Sequence, residues 1–189
     1  MLSFSNPHIS IATIADVPVI KDLLNISYRG EGSKQGWTTE ANLITGTVRT
    51  NEKMVQEAML QKKSTFLKFT NEQQQITGCV NLQLHEQKIY LGMFSVLPQL
   101  QGAGIGKELL KAAEEYTLHV KCRVIYMTVI TVRTELINWY KRHGYADTGE
   151  RRPFIEDGVT GKHVQPLEFA VLEKTIVPSA FSLNNPENK

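Results

Sequence analysis

Cysteine is scarce in this chain: Cys79 and Cys122 are the only two in 189 residues, and each sits in an apolar segment. Two separated thiols give neither a disulfide framework nor the paired spacing of a zinc site, so both are expected as buried, reduced core residues. An excess of one charge is also lacking. Lys and Arg number 21 against 19 Asp and Glu, for a formal net charge of +2, and no basic run alternates with aromatics. That balance argues against a nucleic-acid partner. No apolar run approaches the roughly 20 residues of a membrane helix, and residues 1–10 lack the apolar centre of a signal peptide. A cytoplasmic protein without a membrane partner is the resulting expectation. The histidines, such as His8, His119 and His163, are too scattered to suggest ligand spacing, and no metal is expected. Repeats, low-complexity tracts and an internal linker are absent as well. What is present suits one globular domain with a full core: 41% of residues are hydrophobic and 21% charged. The domain is placed at residues 1–177, with a polar, proline-bearing tail at 178–189.

Apolar spacing sets the element order. Residues 8–13 alternate as a short strand, and Asp16 and Pro18 announce a helix with Val19, Ile20, Leu23 and Leu24 on one face. Residues 28–39 are polar and glycine-rich around Trp37 and read as a loop. Residues 52–62 read as a surface helix. Residues 64–69 and 76–84 alternate as an antiparallel pair, and 89–97 form a more continuously apolar strand. A helix follows whose stripe is Ile105, Leu109, Ala112, Tyr116 and Val120, then a β-branched strand at 124–130. A short helix at 135–143, closed by Gly144, precedes a last strand at 165–174. Such an order packs as an α/β (α+β) mixed sheet between helices.

The sharpest signal is Gln101-Gly102-Ala103-Gly104-Ile105-Gly106-Lys107, between a buried strand and an amphipathic helix. Glycine tolerates positive φ and lets a ligand approach the backbone, and the first amides of a helix have no partners within it. With the helix dipole they form an anion site suited to a pyrophosphate. The Walker loop does not fit, because Gln101 and Glu108 stand where it needs Gly and Ser or Thr. The dinucleotide fingerprint does not fit either: the glycines are spaced Gly-x-Gly-x-Gly, and the strand at 124–132 ends without a carboxylate.

What remains resembles the GNAT superfamily of acyl-CoA-dependent N-acetyltransferases. Its phosphate loop, Gln/Arg-x-x-Gly-x-Gly/Ala, is matched by Gln101, Gly104 and Gly106. Its Val-x-Pro before the loop is matched by Val96-Leu97-Pro98, and its Tyr ahead of Gly-Phe by Tyr140 and Gly144-Tyr145, with Tyr in place of Phe. The resemblance spans about residues 8–174 and is specific between 89 and 149. It implies a mostly antiparallel central sheet with helices on both faces and two splayed central strands. It also implies acetyl transfer from acetyl-CoA to a primary amine by direct attack in a ternary complex.

By that resemblance Phe94, Ser95 and Val96 offer backbone groups to the pantetheine arm, and the Val96 N–H faces the thioester oxygen. Gln101, Gly102, Ala103, Gly104, Ile105, Gly106 and Lys107 hold the diphosphate, and Arg133 is a further phosphate candidate. Tyr140 is the acid that protonates the departing sulfur. The base is open: residues 89–96 contain no Asp or Glu, which leaves Glu86 as the candidate, with His85, Glu31 and Glu40 behind it. Trp37, with Arg29 and Glu40, is the candidate acceptor patch, and residues 151–154 are placed beside it. Core packing is the competing account of Phe94, Val96, Tyr140 and Trp37. The acceptor is a small amine or a peptide, the assembly a monomer or homodimer. A non-catalytic acyl-CoA sensor is the alternative from another class.

Overall fold

The computed structural model describes residues 2–156, 158 and 160–177; the tail expected at 178–189 lies outside them. Seven strands form one sheet in the order β1-β2-β3-β4-β5-β7-β6. The strands are β1 Ile9–Ile11, β2 Ser64–Thr70, β3 Ile76–His85, β4 Lys88–Val96, β5 Val124–Ile130, β6 Ala146–Pro153 and β7 Glu168–Thr175. The helices are α1 Val17–Tyr28, α2 Gly30–Ser33, α3 Glu52–Leu60, α4 Ile105–His119 and α5 Thr134–Arg142. Only β4 and β5 pair in parallel. The mixed, mostly antiparallel sheet expected from the sequence is therefore what forms.

Alternation on the strands decides which helix covers which face. Phe66 and Cys79 point to one side, where Ile20, Leu23 and Leu24 of α1 and Val55 of α3 close over them. The neighbouring Leu67 and Val80 point to the other, against Leu109, Ala113 and Tyr116 of α4 and Tyr140 of α5. Both cysteines are buried thiols. Asn51 caps α3, its side chain accepting from the Met54 N–H at 2.9 Å. No helix among the described residues is long and apolar enough to cross a membrane.

Two differences from the sequence reading matter. The loop expected at 28–39 contains the single turn α2. The strand β6 carries no apolar alternation at all: Asp147, Gly149, Glu150, Arg151 and Arg152 are its middle. It lies at the sheet edge, where charged side chains discourage pairing with another molecule and period-two apolarity is not required.

Candidate functional site

β4 and β5 separate near their starts. Their pairing covers Lys88↔Val124, Ile89↔Ile125 and Tyr90↔Tyr126 and then stops. A bulge in β4 drives the parting: the β3–β4 register slips between Cys79 and Asn81, and Met93 takes φ 45°. Past it, the Leu97 N–H donates to the Thr77 carbonyl at 2.9 Å and Val96 lies opposite Gly78. Antiparallel alternation then turns the Val96 N–H away from β3 and into the opening.

A cavity of about 300 Å³ occupies the opening on the α4 side. Phe94, Ser95, Val96, Gln101, Gly102, Gly104, Gly106, Lys107, Arg133 and Tyr140 line it, so most of the cofactor candidates come together there. Gly102 and Gly104 take φ 91° and 89°, which an L side chain resists. At either position a Cβ would meet nothing within 4 Å, so the turn is open and its glycines are required by backbone conformation. The first intrahelical bond of α4 is Glu108 N–H to Gly104 O at 3.1 Å, which leaves the amides of Ile105, Gly106 and Lys107 outside the helical ladder. Two buried polar atoms beside the cavity, Ser95 Oγ and Gln101 Oε1, have no hydrogen-bond partner. Free helix amides and orphaned buried polar atoms are what a diphosphate with an amide-bearing arm would satisfy.

Gln101 serves mainly through its side chain. Its amide donates to the Val96 carbonyl at 3.3 Å, and Oε1 lies so close to Gly36 that a Cβ there would come within 2.3 Å. The glycine turn thereby packs against the long loop at residues 34–50 with no hydrogen bond to Oε1. From α1, Ser27 Oγ donates to the Val96 carbonyl at 3.1 Å and Tyr28 Oη to the Phe94 carbonyl at 2.9 Å. These carbonyls are occupied, while the Val96 amide stays available.

A second cavity of about 220 Å³ lies across the splay, bordered by Gly92 and Met93 of β4, Thr128 and Val129 of β5, and Phe154 and Phe169. Tyr28, Phe94, Arg133, Leu136 and Tyr140 border both cavities and form the wall between them. Tyr140 is buried, and burial, with Tyr28 and Tyr145 nearby, holds its phenol well above the usual range. Burial, with Glu40 second, pushes Tyr28 up to about 12.

The predicted acceptor patch divides between the two cavities. Arg29 and Glu40 line the second, whereas Trp37 lines the first, 6.2 Å from the ring of Trp139. The reason is a buried ion-pair cluster that folds the loop down. Glu40 accepts from Arg29 Nη1 on one oxygen and from Arg133 Nη1 on the other at 2.9 Å; Arg133 Nη2 also donates to Thr38 Oγ1 at 2.7 Å. Arg133, expected at a phosphate, is thus engaged by the loop. Thr38 further donates to Glu135 at 2.9 Å, and Trp37 is left over the α5 face.

Glu86 is not brought to either cavity. It sits exposed in the β3–β4 hairpin turn with φ 53°, at the opposite end of β4 from Val96. His85 is beside it, bonded to Tyr126 Oη at 2.7 Å. Glu31 borders a different surface hollow. Of the segment 151–154, only Phe154 reaches the second cavity.

Sequence reasoning missed Ser27, Tyr28, Leu136, Trp139 and His143, all of which line the first cavity. Trp139 and His143 were within reach: they are four apart beside Tyr140, and their rings pack at 4.3 Å. Nothing in the sequence marks Ser27 and Tyr28, whose role is to meet carbonyls more than 60 residues away.

Comparison with known proteins agrees with this geometry. The chain is 31% identical over 64 residues to the spermine/spermidine N(1)-acetyltransferase of Bacillus subtilis, a stretch covering 33% of this chain. It spans 42% of the length of that relative. Among solved structures, the ribosomal-protein-S18-alanine N-acetyltransferase of Escherichia coli superposes with a TM-score of 0.66 at 13% identity, covering 94% of this chain and 98% of that one. The spermidine/spermine N-acetyltransferase of Vibrio cholerae gives 0.63 at 14% identity, covering 90% and 95%. At such identities these likenesses concern the fold alone. The acetyltransferase (GNAT) domain profile matches residues 32–165, the stretch that holds the splay, the glycine turn and Tyr140, and the chain belongs to the GNAT acetyltransferase family.

Proposed function

We propose that the protein is an N-acetyltransferase that moves an acetyl group from acetyl-CoA to a primary amine in the cytoplasm. The observation that carries the reading is the pair of cavities meeting at Tyr140 and Phe94 across the splay. One side offers free helix amides to a diphosphate, and the other offers a separate approach for an amine. Bound acetyl-CoA supplies an activated acyl group as a thioester.

The chain's own groups do the rest. Amides of Gly104 to Lys107 hold the diphosphate, so that the arm lies along the unpaired edge of β4. Trp139, Phe94 and His143 pack around the arm and exclude water. The Val96 N–H donates to the carbonyl oxygen as the amine nitrogen attacks the carbonyl carbon and charge builds on that oxygen. The C–S bond breaks, and Tyr140 gives its proton to the departing sulfur. A raised pKa keeps this phenol protonated, which suits an acid and not a base. The nitrogen, cationic once it has attacked, gives up its extra proton as the amide forms, and that proton restores the Tyr140 phenol.

Among the described residues, Glu40 is the one carboxylate lining the second cavity, held between two guanidinium groups. Both its oxygens already accept from guanidinium groups, so solvent is assigned the deprotonation of the amine before it binds. The test is thiol release from acetyl-CoA across a panel of amines. Transfer to at least one amine supports the reading. Calorimetry that detects no binding of acetyl-CoA or CoA would sink it.

A further inference from the structure

The second cavity is rich in arginine. Among the described residues, Arg29, Arg49 and Arg133 line it against the single carboxylate of Glu40, and Glu40 already bonds Arg29 and Arg133. Arg49 differs from the other two. Among the described residues no Asp or Glu pairs with it, its guanidinium lies 5.4 Å over the Tyr28 ring, and its backbone N–H is tied to Asn25 Oδ1 at 2.6 Å. Asn25 also accepts from the Thr50 N–H at 2.9 Å and donates to the Thr50 carbonyl at 3.0 Å, so the backbone carrying Arg49 is fixed to α1. The result is a half-buried cation, anchored by backbone and aromatic contacts, on the border of a small cavity that also borders Tyr140.

From this arrangement we infer that the acceptor is a small amine carrying a compact oxyanion, a carboxylate or a phosphate, which Arg49 receives while the amino group points toward Tyr140. The inference rests on the acetyltransferase reading and narrows it. A polyamine is the opposite case: it would bring several positive charges to a cavity with three arginines and one neutralised carboxylate. Guanidinium binds both oxyanions as a two-pronged donor, so the cavity alone favours neither, and its size suits a free small molecule.

Two measurements separate this inference from the reading beneath it. The first is thiol release with acetyl-CoA from four kinds of acceptor: α-amino acids, aminoalkyl phosphates, the matching neutral amino amides and alcohols, and spermidine. The expected order places one anionic class at least tenfold above its neutral counterparts in kcat/KM, with spermidine lowest; amino acids against aminoalkyl phosphates decides which oxyanion is native. Arg49→Ala is expected to raise KM for the anionic acceptor about tenfold or more, leaving kcat/KM for the neutral amine within twofold. Arg49→Lys should recover part of the loss. The second is calorimetry of the same amines on protein saturated with CoA, which reads anion preference without turnover. Preference for spermidine, or an Arg49→Ala loss equal for all acceptors, overturns the inference while acetyl transfer stands. Anion-selective binding without thiol release from any amine removes the catalytic reading and overturns the inference with it, since Arg49 would then hold an anion that is no acceptor.

Discussion

The two cavities are built by different means. The first rests largely on backbone: helix amides, left-handed glycines and an unpaired strand edge, drawn from β4 and the turn that follows it within about a dozen residues. The second rests on side chains from many distant segments, among them the end of α1, the loop at 34–50, β5, β7 and the start of α5, drawn together around the buried carboxylate of Glu40. A backbone site tolerates changes of side chain but not of conformation. A side-chain site is the reverse, and its stability hangs on its central ion pairs.

The largest effect is expected on the wall the cavities share. Tyr140→Phe removes the proposed proton donor, and kcat should fall about 100-fold or more while the Kd for CoA, read by calorimetry, changes less than threefold. An undiminished rate would assign Tyr140 to packing alone. Next, Glu40→Ala leaves the Arg29 and Arg133 guanidinium groups buried without their carboxylate, at a cost of about 3 kcal/mol in urea unfolding. Acceptor KM should rise with it, and CoA binding should change less. The mirror-image change is Gly104→Ala at φ 89°, which adds about 1–2 kcal/mol of local strain and no clash. It should weaken CoA about tenfold and leave acceptor selectivity alone. If Glu40→Ala and Gly104→Ala perturbed both ligands equally, the division between the two cavities would be wrong.

A fourth expectation concerns pH. Burial raises Tyr28 to about 12 and lifts Tyr140 and Tyr145 as well, so the folded state holds their protons more tightly than the unfolded chain does. Their contribution is complete below the unfolded phenol value of about 10 and declines as pH climbs past it. Urea midpoints measured from pH 8 to 11 should stay flat and then fall above 10. The rate should instead rise toward the pKa of the free acceptor amine, since no enzyme carboxylate is placed to deprotonate it. The smallest effect is expected from Glu86→Gln, with kcat/KM within twofold of the parent.

Much of the first cavity was legible because its requirements are local. Gly102, Gly104 and Gly106, the Val96-Leu97-Pro98 run before them and the Tyr140 to Gly144 spacing each mark a backbone event within a few residues. The acceptor side was legible only as residue types in a loop. Trp37, grouped with Arg29 and Glu40 in the sequence, lines the other cavity, because the cluster that turns the loop over needs Arg133, 93 residues from Glu40. β6 escaped notice for a related reason: an edge strand of charged residues forms because β7 offers it a partner, not because its own pattern requests one.

By itself the sequence determined the mixed sheet, the glycine turn that opens α4 and the tyrosine set ahead of a closing glycine, since period, glycine spacing and helix ends act over a turn or two of chain. The tertiary structure alone decided that Arg133 holds the loop, that Glu86 lies at the far end of its strand, and that Arg49 reaches the second cavity without a carboxylate partner. Those facts depend on which distant segments the β4 bulge and the buried Glu40 bring together, and no short-range pattern encodes them.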